Sequence, residues 1–126
     1  MNCPKCDSPF ETVTFHEIEV ERCQGCNGLW FDMMEKEDLL KIEGSEAIDI
    51  GSEQVSEQYR DQVNILCPQC GVAMIPMVDK EQSHIRYESC QSCYGAFFDA
   101  GEFRDLKDYT IVERFVGMLK TLRTNL

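Results

Sequence analysis

Two stretches of the chain alternate between apolar and polar residues with a period of two, Val13-Thr14-Phe15 with Ile18-Glu19-Val20-Glu21, and Val72 to Val78 with Ile85 to Glu88. That period places every second side chain on one face and predicts half-buried antiparallel strands, one hairpin in each half of the chain. The second hairpin is expected to have the longer turn, over Asp79-Lys80-Glu81-Gln82-Ser83. Each stretch leads to a pair of large apolar residues, Trp30-Phe31 and Phe97-Phe98, followed by Asp32 with Glu35 three positions on, and Asp99 with Glu102. An acid three residues before a glutamate is the pattern of a helix N-cap with its reciprocal N3 partner, so a short helix is predicted after each hairpin, the first stopped by Gly44. Capping explains these carboxylates better than paired-acid catalysis does.

The two halves are copies. Cys23-Gln24-Gly25-Cys26-Asn27-Gly28-Leu29-Trp30-Phe31-Asp32 aligns with Cys90-Gln91-Ser92-Cys93-Tyr94-Gly95-Ala96-Phe97-Phe98-Asp99, and the match continues to Asp38-Leu39 and Asp105-Leu106. Gly28 and Gly95 are expected to take backbone angles closed to other residues. Residues 44–66 form an acidic connector in which Val55, Tyr59 and Val63 recur every four residues, consistent with a short helix or with a solvated spacer. From residue 110 the chain places Val112, Phe115, Leu119, Leu122 and Leu126 at three- and four-residue steps, which predicts an amphipathic helix over 110–126. Its stripe is expected to dock on its own ribbon, or to form a homodimer seam or partner groove.

All eight cysteines fall in four Cys-x-x-Cys pairs, Cys3/Cys6 with Cys23/Cys26 and Cys67/Cys70 with Cys90/Cys93. A Cys-x-x-Cys turn aims two thiolates at one ion, and two such turns complete a tetrahedron. The intervals between pairs, sixteen residues and nineteen, suit a hairpin that leaves one metal knuckle and returns to the next. The spacing therefore predicts two tetrathiolate zinc ions per chain, with iron as the alternative, in a small metal-stabilised α+β fold of two tandem zinc ribbons, residues 1–43 and 67–109. Neither ribbon is long enough to rest on an apolar core alone, so metal has to supply stability. With an acidic connector between them, loss of one metal is expected to damage mainly its own ribbon. His16 and His84 find no vacancy in two complete thiolate sets and read as ordinary turn or strand residues.

Charge narrows the functional classes. The formal net charge is −11, and each four-thiolate zinc centre adds two further negative charges, which makes nucleic acid a poor partner. The first 43 residues carry ten acids against four bases, whereas residues 67–126 carry eight against seven. No apolar run reaches the length of a membrane span, and Cys3 follows the initiator too closely for a signal sequence, so a cytoplasmic location is expected, where thiols stay reduced.

The segments Cys3-Pro4-Lys5-Cys6 and Cys23 to Asp32, with their second copies, resemble the bacterial transcription-factor-IIB-type zinc ribbon family. The distinctive part is Cys-x-x-Cys-x-Gly-x-aromatic-x-Asp followed by Glu and Leu, met by Trp30, Asp32, Glu35 and Leu39 and by Phe97, Asp99, Glu102 and Leu106. Phe97 stands where the family usually shows tryptophan. The resemblance implies zinc at all eight cysteines and a ribbon fold. No serine–histidine–acid set, phosphate-binding glycine loop or open metal triad is present, and the expectation is a non-enzymatic adaptor for a protein partner. Trp30, Phe31, Phe97 and Phe98, together with Phe115, Leu119 and Leu122, are its expected contact residues, with at least one of each aromatic pair expected to pack under its knuckle as a miniature core and its neighbour to face outward. The alternatives are a transcription-associated ribbon touching RNA polymerase or nucleic acid, and a zinc–thiol redox sensor or holdase.

Overall fold

The computed structural model describes residues 1–51, 59, 62, 65–78 and 85–107. Each half contributes three strands: β1 (Phe10–Phe15), β2 (Ile18–Cys23) and β3 (Leu29–Phe31), then β4 (Ile75–Val78), β5 (Arg86–Ser89) and β6 (Ala96–Phe98). They form one six-stranded antiparallel sheet in the order β1-β2-β3-β6-β5-β4. The two ribbons meet at its centre, where β3 pairs with β6 in the register Leu29 to Phe98, Trp30 to Phe97 and Phe31 to Ala96. Trp30 and Phe97 occupy equivalent positions of the repeat, so a pseudo-twofold axis passes through that pair.

The alternating stretches form hairpins as the period predicts. The β1–β2 turn is the dipeptide His16-Glu17, both at positive φ (48° and 70°), which is the backbone of a two-residue type I′ turn. His16 thus serves as a turn residue. The third strand of each ribbon is not signalled by alternation, because it is apolar at every position. Leu29, Trp30 and Phe31 are all buried, as are Ala96, Phe97 and Phe98, with one face covered by helices and the other by the metal knuckles.

These two faces make two cores. Leu29, Phe31, Ala96 and Phe98 point towards Val20, Leu39, Ile48, Ile85, Phe103 and Leu106, while Trp30 and Phe97 point towards Cys3, Cys23, Cys67, Cys90, Ile65 and Met74. Phe98 meets Phe31 edge-on at 5.6 Å and stacks on Tyr87 at 4.8 Å. The expectation that one aromatic of each pair faces outward to a partner is corrected here. Trp30, Phe31, Phe97 and Phe98 are each at most 1% exposed, because a sheet covered on both sides leaves neither neighbour of an aromatic pair facing water.

The first helix, α1, runs Glu35–Leu40 and the second, α2, covers 102–107. Only half of the expected capping box forms at α1: the Glu35 carboxylate accepts the Asp32 backbone N–H at 2.7 Å, but Asp32 does not cap, and Met34 at φ 74° stands at the N-cap position. Lys41, not Gly44, is the C-cap of α1; Gly44, at φ 86°, instead opens a 3-10 turn over Ser45–Ile48.

That turn packs on the second ribbon. Asp49 is buried and accepts the backbone N–H groups of Gly101 (2.8 Å) and Arg104 (3.0 Å), capping the start of α2 from the far half of the chain. The Arg104 guanidinium donates to the carbonyls of Asp49 and Gly51, and Lys107 Nζ reaches the Ile42 carbonyl, Ser45 Oγ (2.6 Å) and Glu46. Residues 45–51 are therefore a clasp between the halves. Val55, Val63 and the stripe carrying Phe115, Leu119 and Leu122 lie outside the described residues. Among the described residues no helix is long and apolar enough to cross a membrane.

Candidate metal centres

Each knuckle is the same device. The backbone N–H of the residue after the second cysteine returns to the carbonyl of the first: Asp7 to Cys3 (3.0 Å), Asn27 to Cys23 (3.1 Å), Gly71 to Cys67 (2.9 Å) and Tyr94 to Cys90 (2.9 Å). All four closing residues sit at positive φ, between 61° and 74°. The sequence expectation placed the special backbone one residue too late, at Gly28 and Gly95. Those two are glycines for space: a Cβ on Gly28 would lie 2.3 Å from Phe97 Cζ, and one on Gly95 2.3 Å from Trp30 Cζ2. Each ribbon's glycine is the seat of the other ribbon's aromatic ring.

The turns bring Cys3, Cys6, Cys23 and Cys26 into one cluster and Cys67, Cys70, Cys90 and Cys93 into another, with every Sγ within 4.8 Å of the others in its set. Sγ atoms of Cys3 and Cys26 are 3.8 Å apart, of Cys6 and Cys23 3.2 Å, and of Cys67 and Cys93 3.7 Å. A zinc–sulfur distance of about 2.3 Å in a tetrahedron puts the sulfurs about 3.8 Å apart, so both clusters fit a zinc ion. Backbone N–H groups point at the sulfurs, from Gly25 and Cys26 to Cys23, Cys70 to Cys67 and Ser92 to Cys90, all at 3.3–3.4 Å. Such donors favour thiolate.

Within each cluster neighbouring thiols are pushed in opposite directions. The Cys3 thiol is held down at about 5, chiefly by the hydrogen bond from Cys26, and the same contact, with burial, drives Cys26 strongly upward. Burial lifts Cys23 to about 11 and Cys93 to about 12. Burial also opposes ionisation of Cys90, but the N–H groups of Cys93 and Ser92 overcome it and bring that thiol to about 7. Four sulfurs this close, with backbone donors aimed at them, are a set that a divalent cation completes. Elemental analysis should therefore find two zinc ions per chain. The sites differ in access: Cys3, Cys23 and Cys26 are buried in the first, whereas Cys70 is exposed and Cys93 half-buried in the second. A competing chelator should strip zinc in two phases, the second site first. Faster loss from the first site, read from knuckle amide signals during chelation, would contradict that order.

The metal knuckles also tie the halves together. Lys5, inside the first knuckle, extends its ammonium across the junction to Asp99 (2.8 Å) and Glu88 (2.7 Å) of the second ribbon, with its side chain fully buried and 5.7 Å from the Phe97 ring centre. Gln69, at the same place in the third knuckle, donates to Asp32 of the first ribbon at 2.7 Å, and Asp32 also accepts the Trp30 indole N–H at 3.3 Å. Sequence reasoning missed Lys5 and Gln69. The available signal was their shared position between paired cysteines together with the repeated Asp.

Acid provides a second test. Protons compete with zinc for sulfur, so zinc binding weakens as pH falls. The buried carboxyls act in the opposite direction: burial raises Asp49 and Glu88 above the usual carboxylate range, so the folded chain takes up those protons before the unfolded chain does, and that uptake favours folding as pH drops through their raised values. Acid unfolding should accordingly coincide with zinc release, and excess zinc should move both to lower pH. Loss of circular dichroism ahead of zinc release would contradict this.

The family model described as the transcription factor zinc-finger, the transcription-factor-IIB-type zinc ribbon, matches the chain twice, over residues 2–42 and 66–109. No curated protein and no solved structure matches the chain significantly.

Proposed function

As the chain belongs to the transcription-factor-IIB-type zinc ribbon family, with the family pattern spanning both halves, we propose that it is a non-enzymatic adaptor that presents a rigid double ribbon to a protein partner. The observation that carries this reading is the pair of closed four-cysteine clusters. Four protein thiolates fill a tetrahedral shell, so zinc there is structural and has no position for substrate. Function then belongs to the surface.

That surface is acidic, and its two ends differ. The outer edge of the first ribbon presents Glu11, Thr12 and Thr14, whereas the second presents Met77 and Val78 on its edge strand and Leu66 and Val72 beside its first knuckle, all exposed. Pro76 removes a backbone donor from that edge strand, which discourages strand addition and leaves recognition to side chains. Affinity capture of the zinc-loaded chain from its own cells is expected to recover a protein partner, and Met77→Glu with Val78→Glu to lose it at unchanged zinc content. Tight binding to nucleic acid at physiological salt, with no protein recovered, would overturn the reading.

The family description, a transcription factor zinc-finger, supports a transcription-associated variant of the same proposal; RNA polymerase would be the partner in that variant. Recovery of polymerase subunits in the capture, without a mobility shift on free nucleic acid, would select it.

A further inference from the structure

The two metal centres are copies in sequence and differ in cover. In the first, Cys3, Cys23 and Cys26 are buried, and the Ser8 side chain lies over Gly25 beside Cys6, the least buried of the set. A Cβ on Gly25 would come within 2.3 Å of Ser8 Oγ and 3.1 Å of Cys6 Sγ, so glycine gives that cover its seat. In the second, Val72 stands in the place of Ser8 and Ser92 in that of Gly25, and the seat is lost. Val72 is 43% exposed, and a Cβ on Gly71 would meet nothing within 4 Å. Residues 69–73 are all exposed, Cys70 among them, and Cys93 on the facing knuckle is half-buried.

We propose that Cys70 is a site of reversible oxidation by hydroperoxides, with Cys93 as its resolving partner. Thiolate is the reacting form of cysteine, and metal ligation keeps Cys70 in that form at neutral pH. Its sulfur attacks the distal oxygen of the hydroperoxide and the O–O bond breaks. With one proton from solvent, Cys70 becomes a sulfenic acid and the reduced peroxide leaves as an alcohol, or as water from hydrogen peroxide. The Cys93 thiolate then attacks the Cys70 sulfur, an S–S bond forms, and the sulfenic oxygen departs with a second proton as water. In balance, two thiolates, one hydroperoxide and two protons give one disulfide, one alcohol and one water.

Geometry selects the pair. Every Sγ of this set lies within 4.8 Å of the others, so the sulfurs need only a small side-chain movement to reach the ~2.05 Å of a disulfide. Cys67 and Cys90 are buried against Trp30 and Phe97, which leaves Cys93 as the accessible partner. The new bond joins the same two knuckles that a metal ion joins, while only Cys67 and Cys90 remain as ligands. Oxidation therefore releases zinc and keeps the ribbon closed, and a dithiol reverses it by exchange. Gln69, next to Cys70, donates to Asp32, which also accepts the indole N–H of Trp30, the chain's single tryptophan, so the change reaches the junction between the ribbons. This chemistry goes beyond the adaptor reading and does not depend on it.

The test treats the full zinc-loaded chain with hydrogen peroxide and follows zinc release, Trp30 fluorescence and peptide mass. One zinc is expected to leave at least about tenfold faster than the other, with a Cys70–Cys93 disulfide, and dithiothreitol with added zinc to restore the starting spectrum. Two variants check the assignment. Cys70→His keeps a four-ligand shell of three thiolates and an imidazole, and is expected to hold its zinc against peroxide. Val72→Ser with Ser92→Gly leaves every ligand in place, copies the cover of the first centre, and is expected to slow the release. Zinc lost first from the centre of Cys3, Cys6, Cys23 and Cys26 would overturn the proposal. So would a disulfide that omits Cys70, or release from Cys70→His at the rate of the unmodified chain.

Discussion

Cys6→Ser should unfold both ribbons together, although it removes a ligand from only one metal cluster. A structural zinc contributes about 10–16 kcal/mol at neutral pH, as large as the whole net stability of an ordinary domain, so a site weakened by one thiolate leaves its ribbon without adequate support. The sheet then transmits the loss. The first ribbon supplies β3, one of the two central strands, together with Trp30, which fills the space over Gly95, and Lys5, which sits between Glu88 and Asp99. The sequence alone leads to a different expectation, of damage mainly to residues 1–43. Amide spectra and zinc content of the variant distinguish the two. Dispersed signals retained over residues 85–107 with one zinc still bound would show that the second ribbon stands by itself.

Lys5→Met is expected to destabilise the zinc-loaded protein by about 3–5 kcal/mol, because it strips the cation from two carboxylates that are held at the ribbon junction away from water. Glu88 has little alternative: one of its oxygens, Oε2, is buried without a hydrogen-bond partner among the described residues, and burial already pushes its carboxyl up. Neutralising the carboxylates as well, with Glu88→Gln and Asp99→Asn, should restore most of the loss, since the cost arises from uncompensated charge and not from the missing side chain. Denaturant titration of the single and triple variants at saturating zinc measures both. A loss under about 1 kcal/mol for Lys5→Met would mean that the pair behaves as a solvated surface ion pair.

Local chemistry is legible along this chain. A Cys-x-x-Cys turn carries its own geometry, so eight cysteines in two registers announce both metal clusters before any fold is known. Alternation with a period of two gives the hairpins, because each residue's face follows from its neighbour's. Asp32 with Glu35 signals the start of α1 to within a few residues. In each case the partners lie within about twenty-five residues of one another.

What the sequence left undecided lies at the junction, where the partners are 37 to 94 residues apart. Leu29-Trp30-Phe31 is a buried apolar run, equally readable as the underside of a knuckle or as a strand, and only its pairing with Ala96-Phe97-Phe98 makes it the centre of a sheet. Glycine after the second knuckle of each ribbon, Gly28 and Gly95, is visible in the sequence, but its reason is the ring that the opposite ribbon lays on it, while the left-handed backbone falls on Asn27 and Tyr94. Asp49 reads as one acid among five in a connector until Gly101 and Arg104 are brought to it. The repeat specifies two similar units. Their arrangement follows from complementary packing across a twofold axis, which no residue encodes singly and which the tertiary structure alone decides.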